Sequence, residues 1–431
     1  MALGGGTFVS QNKGMPGAYI NFVSAARASS TLTERGVAAV PMVLDWGPEN
    51  EVFAVSREDF AKNSRKLFGY DMTAEAMRPL REIFRNARLL YTYKLNAAAK
   101  ASNDFATAKH GGSRGNAIKI VIQKNADEPT KFDVLTVLDT TVVDTQTAAK
   151  AAELVPNDYV DWKKEAALAV TAGTALTGGT NGDTSGESYQ TFLNTIETYS
   201  FHALGCPTKD EKVTALFAAF TKRMRDTVGA KFQTVLYRTA ANYEGVISVE
   251  NKTAEDEPAL VYWMTGAAAG CAVNKSNSNK VYDGEYTVDT ALTQSELEKG
   301  IQAGKLMFHK VGDSIRILAD INTLTGFTKE KNSDFGSNQT IRVLDQIAND
   351  IAALFNTQYL GSVPNDAAGR ISLWNDIVSH HRQLETIRAI EKFEPKNVKV
   401  NSGETKKSVA VIDAVTPTNA MEQLYMTVVV Q

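Results

Sequence analysis

Few residues in this sequence are of a type that does covalent chemistry, and their surroundings argue against each. Gly111-Gly112-Ser113-Arg114-Gly115 spells G-x-S-x-G, the string of a nucleophile elbow, with His110 beside it. An elbow needs a strand before the serine and a helix after it, so that the hydroxyl sits on a sharp turn. Here a polar stretch precedes and the β-branched run Ile118 to Ile122 follows, which reads as a loop whose glycines reach positive φ. Cys206 stands between a strand and a helix start, where the helix dipole favours a thiolate, but nothing fixes nearby His202 against it. His380 and His381 are helix neighbours pointing about 100° apart, so they cannot share a metal. Asp376 and Glu385, each four residues from one of them, suggest ordinary helix-surface pairs. His309 stands alone in a strand. Neither G-x-x-x-x-G-K-[ST] nor G-x-G-x-x-G occurs. GGTNGDTSG lacks the carboxylate spacing of a calcium loop and reads as a linker. We expect no catalytic residue, no cofactor and no metal site. The rival, an α/β hydrolase or cysteine enzyme, requires a pocket around Ser113 or Cys206.

The totals are those of an ordinary globular protein. The 431 residues suit two to four domains, with 43% hydrophobic and 22% charged residues. A net charge of −3 gives no overall electrostatic reason to expect nucleic acid or an acidic membrane as partner. Two cysteines, Cys206 and Cys271, make no disulfide framework and suit a reducing compartment. The start, MALGGGTFVS, has neither the basic nor the apolar region of a secretion signal. The apolar stretch Pro258 to Val273 is too short to span a bilayer. These features predict a soluble protein made in a cytoplasm.

Along the chain, glycines at 4–6, 14 and 17 surround the strand-capable run Ala18 to Val23, an arm over residues 1–26. Val37 to Gly47 reads as a buried strand ending in a turn, Glu58 to Leu67 and Thr73 to Asn86 as helices, and Leu89 to Leu95 as a strand. Residues 101–186 read as a small β domain, with strands at Ile118–Gln123, Lys131–Leu138 and Tyr159–Ala167 and a linker from Gly173 to Gly186. Over 187–325, strands and helices alternate, as in a mostly parallel sheet. These are the strand Tyr199–Leu204, a capping box at Thr208-x-x-Glu211 opening a helix, the strand Lys231–Tyr237, helices over Pro258–Val273 and Gln294–Ala303, and a hairpin at Gly312-Asp313. Pro258–Val273 carries Gly266-x-x-x-Gly270, which would let it approach a sheet closely. From 326 to 420 two amphipathic helices stand out, one striped by Ile341, Leu344, Ile347, Ile351 and Leu354. The other runs from about Ile371 to Phe393, with Trp374, Ile377, Leu384, Ile387 and Ile390. Arg342, Arg370, Arg382, Arg388 and Lys392 give them a basic cast, either a solvated face or a dock for an acidic partner. Residues 421–431 read as a strand with Leu424, Met426, Val428 and Val430 on one face and Tyr425, Thr427 and Val429 on the other. Such a strand must be covered on both sides, or it aggregates.

The order of several strings resembles the tail sheath proteins of contractile phages, including myophages, defective prophages and R-type bacteriocins of Firmicutes. GTFVSQNKGMPGAYINF opens the chain, and SVAVIDAVTPTNAMEQLYMTVVV closes it. KHGGSRGN and LTGGTNG match the inserted β domain, and VGDSIRILADINTLTGFTKEKNSDFGSNQTIRVLDQIANDI the entry to the C-terminal domain. The resemblance implies an α/β and α+β multidomain fold. Its parts are an α/β domain with subtilisin-like layering over 187–325, an inserted small β domain over 101–186, and a C-terminal α/β assembly domain over 326–420. Residues 27–100 contribute to the assembly domain, and 1–26 and 421–431 are strand arms. It implies a structural subunit, not an enzyme, that polymerises around a tail tube and contracts to drive the tube through a cell envelope. The implied partners are copies of itself in six-membered rings stacked helically, the tail tube protein, and baseplate and tail terminator proteins, with no nucleic acid and no membrane. The implied place is a virion tail or bacteriocin particle, assembled in the host cytoplasm. The alternative is the sheath of a bacteriocin or secretion-type contractile device. The site residues that follow are the inter-subunit arms, Tyr19, Ile20, Phe22, Val23, Leu424, Met426, Val428 and Val430. Arg370, Arg382, Arg388 and Lys392 are the candidates to face the tube. Segments 24–30 and 417–420 are the candidate hinges.

Overall fold

The computed structural model describes residues 32–96 and 98–430. The N-terminal arm residues Tyr19, Ile20, Phe22 and Val23, and the hinge at 24–30, lie outside that range. The described residues form two compact units. The larger comprises 33–349, 384–392 and 415–430, and the smaller residue 32, 350–383 and 393–414.

In the larger unit the chain first lays down β1 (Val37–Met42), β2 (Val52–Ser56), α1 (Arg57–Phe68), α2 (Arg78–Phe84) and β3 (Leu89–Lys94). Every residue of β1 is buried, as a central parallel strand covered on both faces requires. Its side chains alternate between two cores: Ala38, Val40 and Met42 enter one, Val37 and Ala39 the other. A capping box between Ser56 and Asp59 opens α1, and Gly69, at φ 78°, closes it.

Then comes the β insert: β4 (Ala106–Ala108), β5 (Ile118–Lys124), β6 (Phe132–Leu138), β7 (Thr141–Ala148), β8 (Val160–Trp162) and β9 (Thr171–Ala175). Its main sheet is ordered β7-β6-β5-β9, and β4 pairs with β8. Ile118, Ile120, Ile122, Val134 and Trp162 fill its core. The strand expected over Tyr159–Ala167 shortens to three residues. The expected linker from Gly173 is not a free tether: it supplies part of β9. Its Gly179 exchanges two hydrogen bonds with the Asn116 side chain, at 2.9 and 2.7 Å.

The chain returns through α3 (Gly186–Ile196), β10 (Ala203–Cys206), α4 (Glu211–Arg223), β11 (Gln233–Tyr237), β12 (Val246–Val249), α5 (Leu260–Gly270), α6 (Gln294–Gln302), β13 (Lys305–Leu306), β14 (Phe308–Val311) and β15 (Ser314–Ile317). The main sheet runs β13-β12-β11-β10-β1-β3-β2, parallel except for the edge strand β2. Helices α1, α2 and α5 cover one face and α3 and α4 the other. β14 and β15 form the expected hairpin. The glycines of α5 serve a different neighbour from the one expected. A Cβ on Gly266 would stand 2.3 Å from the Ile83 carbonyl oxygen of α2, and one on Gly270 2.1 Å from that of Asn86. On the sheet side, Gly205 of β10 makes the room: its Cβ would meet Thr265 Oγ1 at 2.3 Å.

Helix α7 (Asn338–Leu354) begins in the larger unit. There Asp345 accepts two hydrogen bonds from the buried Arg225 guanidinium, at 2.6 and 2.7 Å, while Arg225 also donates to the Phe232 carbonyl just before β11. Arg342, assigned by sequence to a basic surface, is buried. It donates to Asp320 at 3.1 Å and to the Lys275 carbonyl at 2.7 Å. A charged residue at an inward helical position is held by a carboxylate that lies distant in sequence, so its burial was not legible there.

The smaller unit holds the end of α7, most of α8 (Ala367–Thr386), and the antiparallel pair β16 (Val398–Ser402) and β17 (Val409–Asp413). Leu354, Tyr359, Leu373, Ile377, Val378 and Val398 form its core. The second helix ends at Thr386 and does not reach Phe393: Arg388 and Lys392 adopt φ of 59° and 44°, which breaks the helical path.

The α2–α5 contact yields a stability test. Gly266→Ala should lower stability by about 1–3 kcal/mol through overpacking against a backbone carbonyl. Gly186→Ala, where a Cβ meets nothing within 4 Å, should leave it nearly unchanged. Urea unfolding midpoints of the two variants provide the comparison.

Candidate assembly surface

The C-terminal segment is fastened at its base and bare beyond it. Gln339 of α7 donates to the Thr418 carbonyl at 3.0 Å and accepts from the Ala420 amide at 2.9 Å. The Thr418 amide donates to the Ala389 carbonyl, and the Glu391 amide to the Thr416 carbonyl, both at 2.9 Å. The bend at 417–420, expected as a hinge, is therefore clamped by backbone and amide hydrogen bonds. Past Glu422, Leu424, Tyr425, Met426, Val428, Val429 and Val430 are 71% to 92% exposed. Among the described residues no strand pairs with this segment, so the strand expected there lacks the partner that would make it one. Apolar side chains face solvent on both of its faces, and burying each releases roughly 1.5–3 kcal/mol.

The smaller unit presents a different surface. β16 and β17 form a sheet of two strands, marginal alone, steadied by Trp374 Nε1 donating to the Val398 carbonyl at 2.9 Å. Val411 and Ile412 of β17 are exposed, and among the described residues no third strand joins either edge. The sequence showed the run that contains β17, whereas β16 was missed because its alternation, Val398-Lys399-Val400-Asn401, has only two apolar residues.

The two histidines are corrected outright. They are not surface residues: His380 is 2% exposed and His381 fully buried. Their Nδ1 atoms meet at 3.3 Å, while His380 Nε2 lies 2.9 Å from Asp350 and His381 Nε2 2.7 Å from Asp413. Asp376, the expected partner of His380, instead accepts from the Tyr359 hydroxyl. Only the long-range approach of Asp350 and Asp413 reveals this chain, and helix periodicity carries no trace of it.

The basic residues do not form one helical stripe. Arg370 is half-buried and donates to the Asn365 carbonyl and side chain at 3.1 Å. Arg382, Arg388 and Lys392 are exposed. Arg370 and Arg382 belong to the smaller unit, Arg388 and Lys392 to the larger.

The enzyme-like residues have structural duties. Gly112, at φ 130°, leads into a 3₁₀ turn over Ser113–Ala117 and then β5, with no helix after the serine. A Cβ on Gly112 would stand 2.0 Å from the Asp45 carbonyl, so the glycine is there for close packing. His110 packs edge-on against Trp46, and burial, then Lys94, lowers its pKa to about 4. The Lys94 side chain, fully buried, ties this loop to β3 through Glu49 at 3.1 Å and the Gly111 carbonyl at 2.6 Å. Burial pushes its pKa down. Cys206 is fully buried, and burial pushes its thiol pKa up, opposite to the dipole expectation.

A layered α/β framework, a β insert and an unpartnered apolar tail describe a subunit that packs with other subunits. Four sheath profiles match consecutive stretches. They are the tail sheath protein Gp18 domain III N-terminal region at 35–95, the phage tail sheath protein beta-sandwich domain at 96–181, the central domain at 182–323 and the C-terminal domain at 330–431. The chain is 31% identical to the phage-like element PBSX protein XkdK of Bacillus subtilis, over 99% of each chain. The crystal structure of a sheath tail protein from Desulfitobacterium hafniense matches with a TM-score of 0.83 and 35% identity, covering 95% of this chain and 99% of that one. A second sheath tail protein, from Listeria innocua, matches with a TM-score of 0.81 and 29% identity, covering 90% and 93%. The chain belongs to the phage tail sheath family and is a subunit of a contractile tail sheath.

The buried thiol gives a direct check. In the native chain at pH 8, a maleimide should leave Cys206 unmodified, while the urea-unfolded chain should take up two labels, one per cysteine. Stoichiometric native labelling of Cys206, read by peptide mass, would contradict its placement.

Proposed function

We propose that this subunit polymerises around a tail tube and contracts to push the tube through a cell envelope, acting by packing and not by catalysis. The observation that carries this reading is the bare apolar segment beyond Glu422, which is unstable in water without a neighbour. Leu424, Met426, Val428 and Val430 then add a strand to the open sheet of a neighbouring subunit, a β-augmentation. The β16–β17 pair is the acceptor. Tyr19, Ile20, Phe22 and Val23 provide the second donor, so each subunit is linked to several others. Donor and acceptor surfaces differ, which makes the contact heterologous and yields rings or open helices. We assign six-membered rings stacked helically, with the tail tube inside and baseplate and terminator proteins at the ends, assembled in the host cytoplasm.

The division of labour follows the arms. Residues 1–26 and 421–431 link subunits, 27–100 and 326–420 form the assembly domain, 101–186 is the insert, and 187–325 is an α/β domain with subtilisin-like layering. The strand pairings persist while the subunits move, and contraction is driven by added buried surface at roughly 25 cal/mol per Å² of apolar area. The extended state is held by a kinetic barrier. Arg370, Arg382, Arg388 and Lys392 face the tube.

Two outcomes are expected. Deleting Glu422 to Gln431 should leave a folded or sticky subunit that forms no cylinders in negative-stain microscopy, and normal cylinders would remove the arm assignment. Reversing charge at Arg382 and Arg388 should weaken co-assembly with tube protein most at low salt. Co-sedimentation indistinguishable from wild type across a salt series would remove the tube-facing assignment.

A further inference from the structure

Besides its apolar stripe, helix α7 carries two polar ones. Asn338, Arg342, Asp345 and Asn349 recur at helical spacing and share one face. Each is bonded into the larger unit. Asn338 donates to Asp320 and to the Ile321 carbonyl, both at 2.9 Å, and accepts from Gln233 of β11 at 2.7 Å. Arg342 and Asp345 make the pairs with Asp320 and Arg225 described above. Asn349 accepts from the Lys231 amide at 3.2 Å and donates to the Lys231 carbonyl at 2.8 Å, just ahead of β11. Hydrogen bonds are directional, so this face sets both the rotation of the helix and its position along its axis.

The second polar stripe is Gln339 and Gln346, both buried, seven residues apart and so on one side of the helix. Gln339 uses both ends of its carboxamide, donating to the Thr418 carbonyl and accepting from the Ala420 amide. One partner is a carbonyl and the other an N–H, which fixes the orientation of the side chain. Asn419, between them, accepts from Thr340 Oγ1 at 3.2 Å. Gln346 donates to the Thr33 hydroxyl at 2.8 Å and to the Thr33 carbonyl at 3.2 Å. Two residues on, Arg35 donates to the carbonyls of Cys271 and Ala268 at the end of α5, at 2.9 and 3.2 Å. Residues 418–420 are the base of the apolar C-terminal segment, and Thr33 is where the N-terminal segment departs. Both departures are therefore held by one helix, at points about 10.5 Å apart along its axis.

We propose that Gln339 and Gln346 are positioning residues that mount both inter-subunit arms on α7 at a fixed span. This rests on the reading of the two terminal segments as arms, and it names what aims them. If each base could wander, a subunit would meet its neighbours at variable separations, and the lattice would lose its regularity. With both bases on one helix, itself bonded to the sheet, the separation is set before assembly. That removes an ordering cost from each new contact. Glutamine suits the task because its carboxamide offers donor and acceptor together and carries no charge to desolvate. Glutamate in either place would lose the donor and set a buried carboxylate against a carbonyl oxygen.

The test uses the full chain in a Cys271→Ser background, where the fully buried Cys206 takes no label. Nitroxides at Glu34→Cys and Met421→Cys, both exposed positions, report the span by double electron–electron resonance at concentrations too low for assembly. The parent should give one narrow distance peak. Gln339→Met and Gln346→Met keep the side-chain length and remove the amide, and each should lose that peak. Gln302→Met, at an exposed site on α6, should retain it. Urea midpoints show whether each variant folds. Where a Met variant does not, the shorter Asn, which keeps an amide but cannot reach, replaces it and should lose the peak as well. A broad parent distribution, or a narrow peak kept in both glutamine variants, overturns the proposal. Negative-stain microscopy of the unlabelled variants completes the test. Irregular or absent cylinders support the mount, and cylinders of uniform width from variants whose span has broadened overturn it. A wild-type chain with the narrow span that never forms cylinders sinks the arm reading and leaves the mount standing.

Discussion

An extended segment with apolar side chains on both faces needs a sheet edge and two covering surfaces, and water supplies none of these. Residues 424–430 are such a segment, and among the described residues the chain offers them no cover. The rest of the larger unit is arranged so that this does not compromise folding. The base of the segment is clamped by Gln339 and by the backbone around Ala389 and Glu391, so bareness begins at a defined point. Upstream, the seven-stranded sheet has its own two cores and does not draw on the tail.

The sheet's independence rests on close backbone approach. Gly266 and Gly270 let α5 lie against the carbonyls at the end of α2, while Gly205 lets the other side of the same helix settle on β10. A helix that is apolar on all sides is stable only when enclosed, and α5 is enclosed by these contacts. The β insert is likewise self-sufficient, with its own core and with its glycine-rich exit pinned by Asn116.

Central features were legible because their causes are local. A continuous apolar run gave β1, an alternating run gave β3, the strand-forming segment Lys231–Tyr237 gave β11, a stripe gave α7, and the Gly312-Asp313 turn gave the β14–β15 hairpin. The misses have causes that lie elsewhere in the chain. β2 is a half-exposed edge strand, β9 is rich in glycine and threonine, and α3 reads as polar until Phe192, Leu193 and Ile196 find a core. The end of α8 was placed too late because an apolar stripe continued past the point where Arg388 turns left-handed. For the assembly surface, the apolar tail was visible as a pattern. The burial of Arg342, His380 and His381 was not, since each depends on a carboxylate distant in sequence: Asp320, Asp350 and Asp413.

The paired guanidinium of Arg225 has a mechanical meaning. Its two bonds to Asp345 hold the first half of α7, and its bond to the Phe232 carbonyl holds the strand entering the sheet at β11. Separating them would strand a charge in a dry site at a cost of several kcal/mol. A tug on the start of α7 is thus delivered to the central strands as a whole and is not absorbed by slack in a connecting loop. Within this unit, helix and sheet behave as one stiff lever.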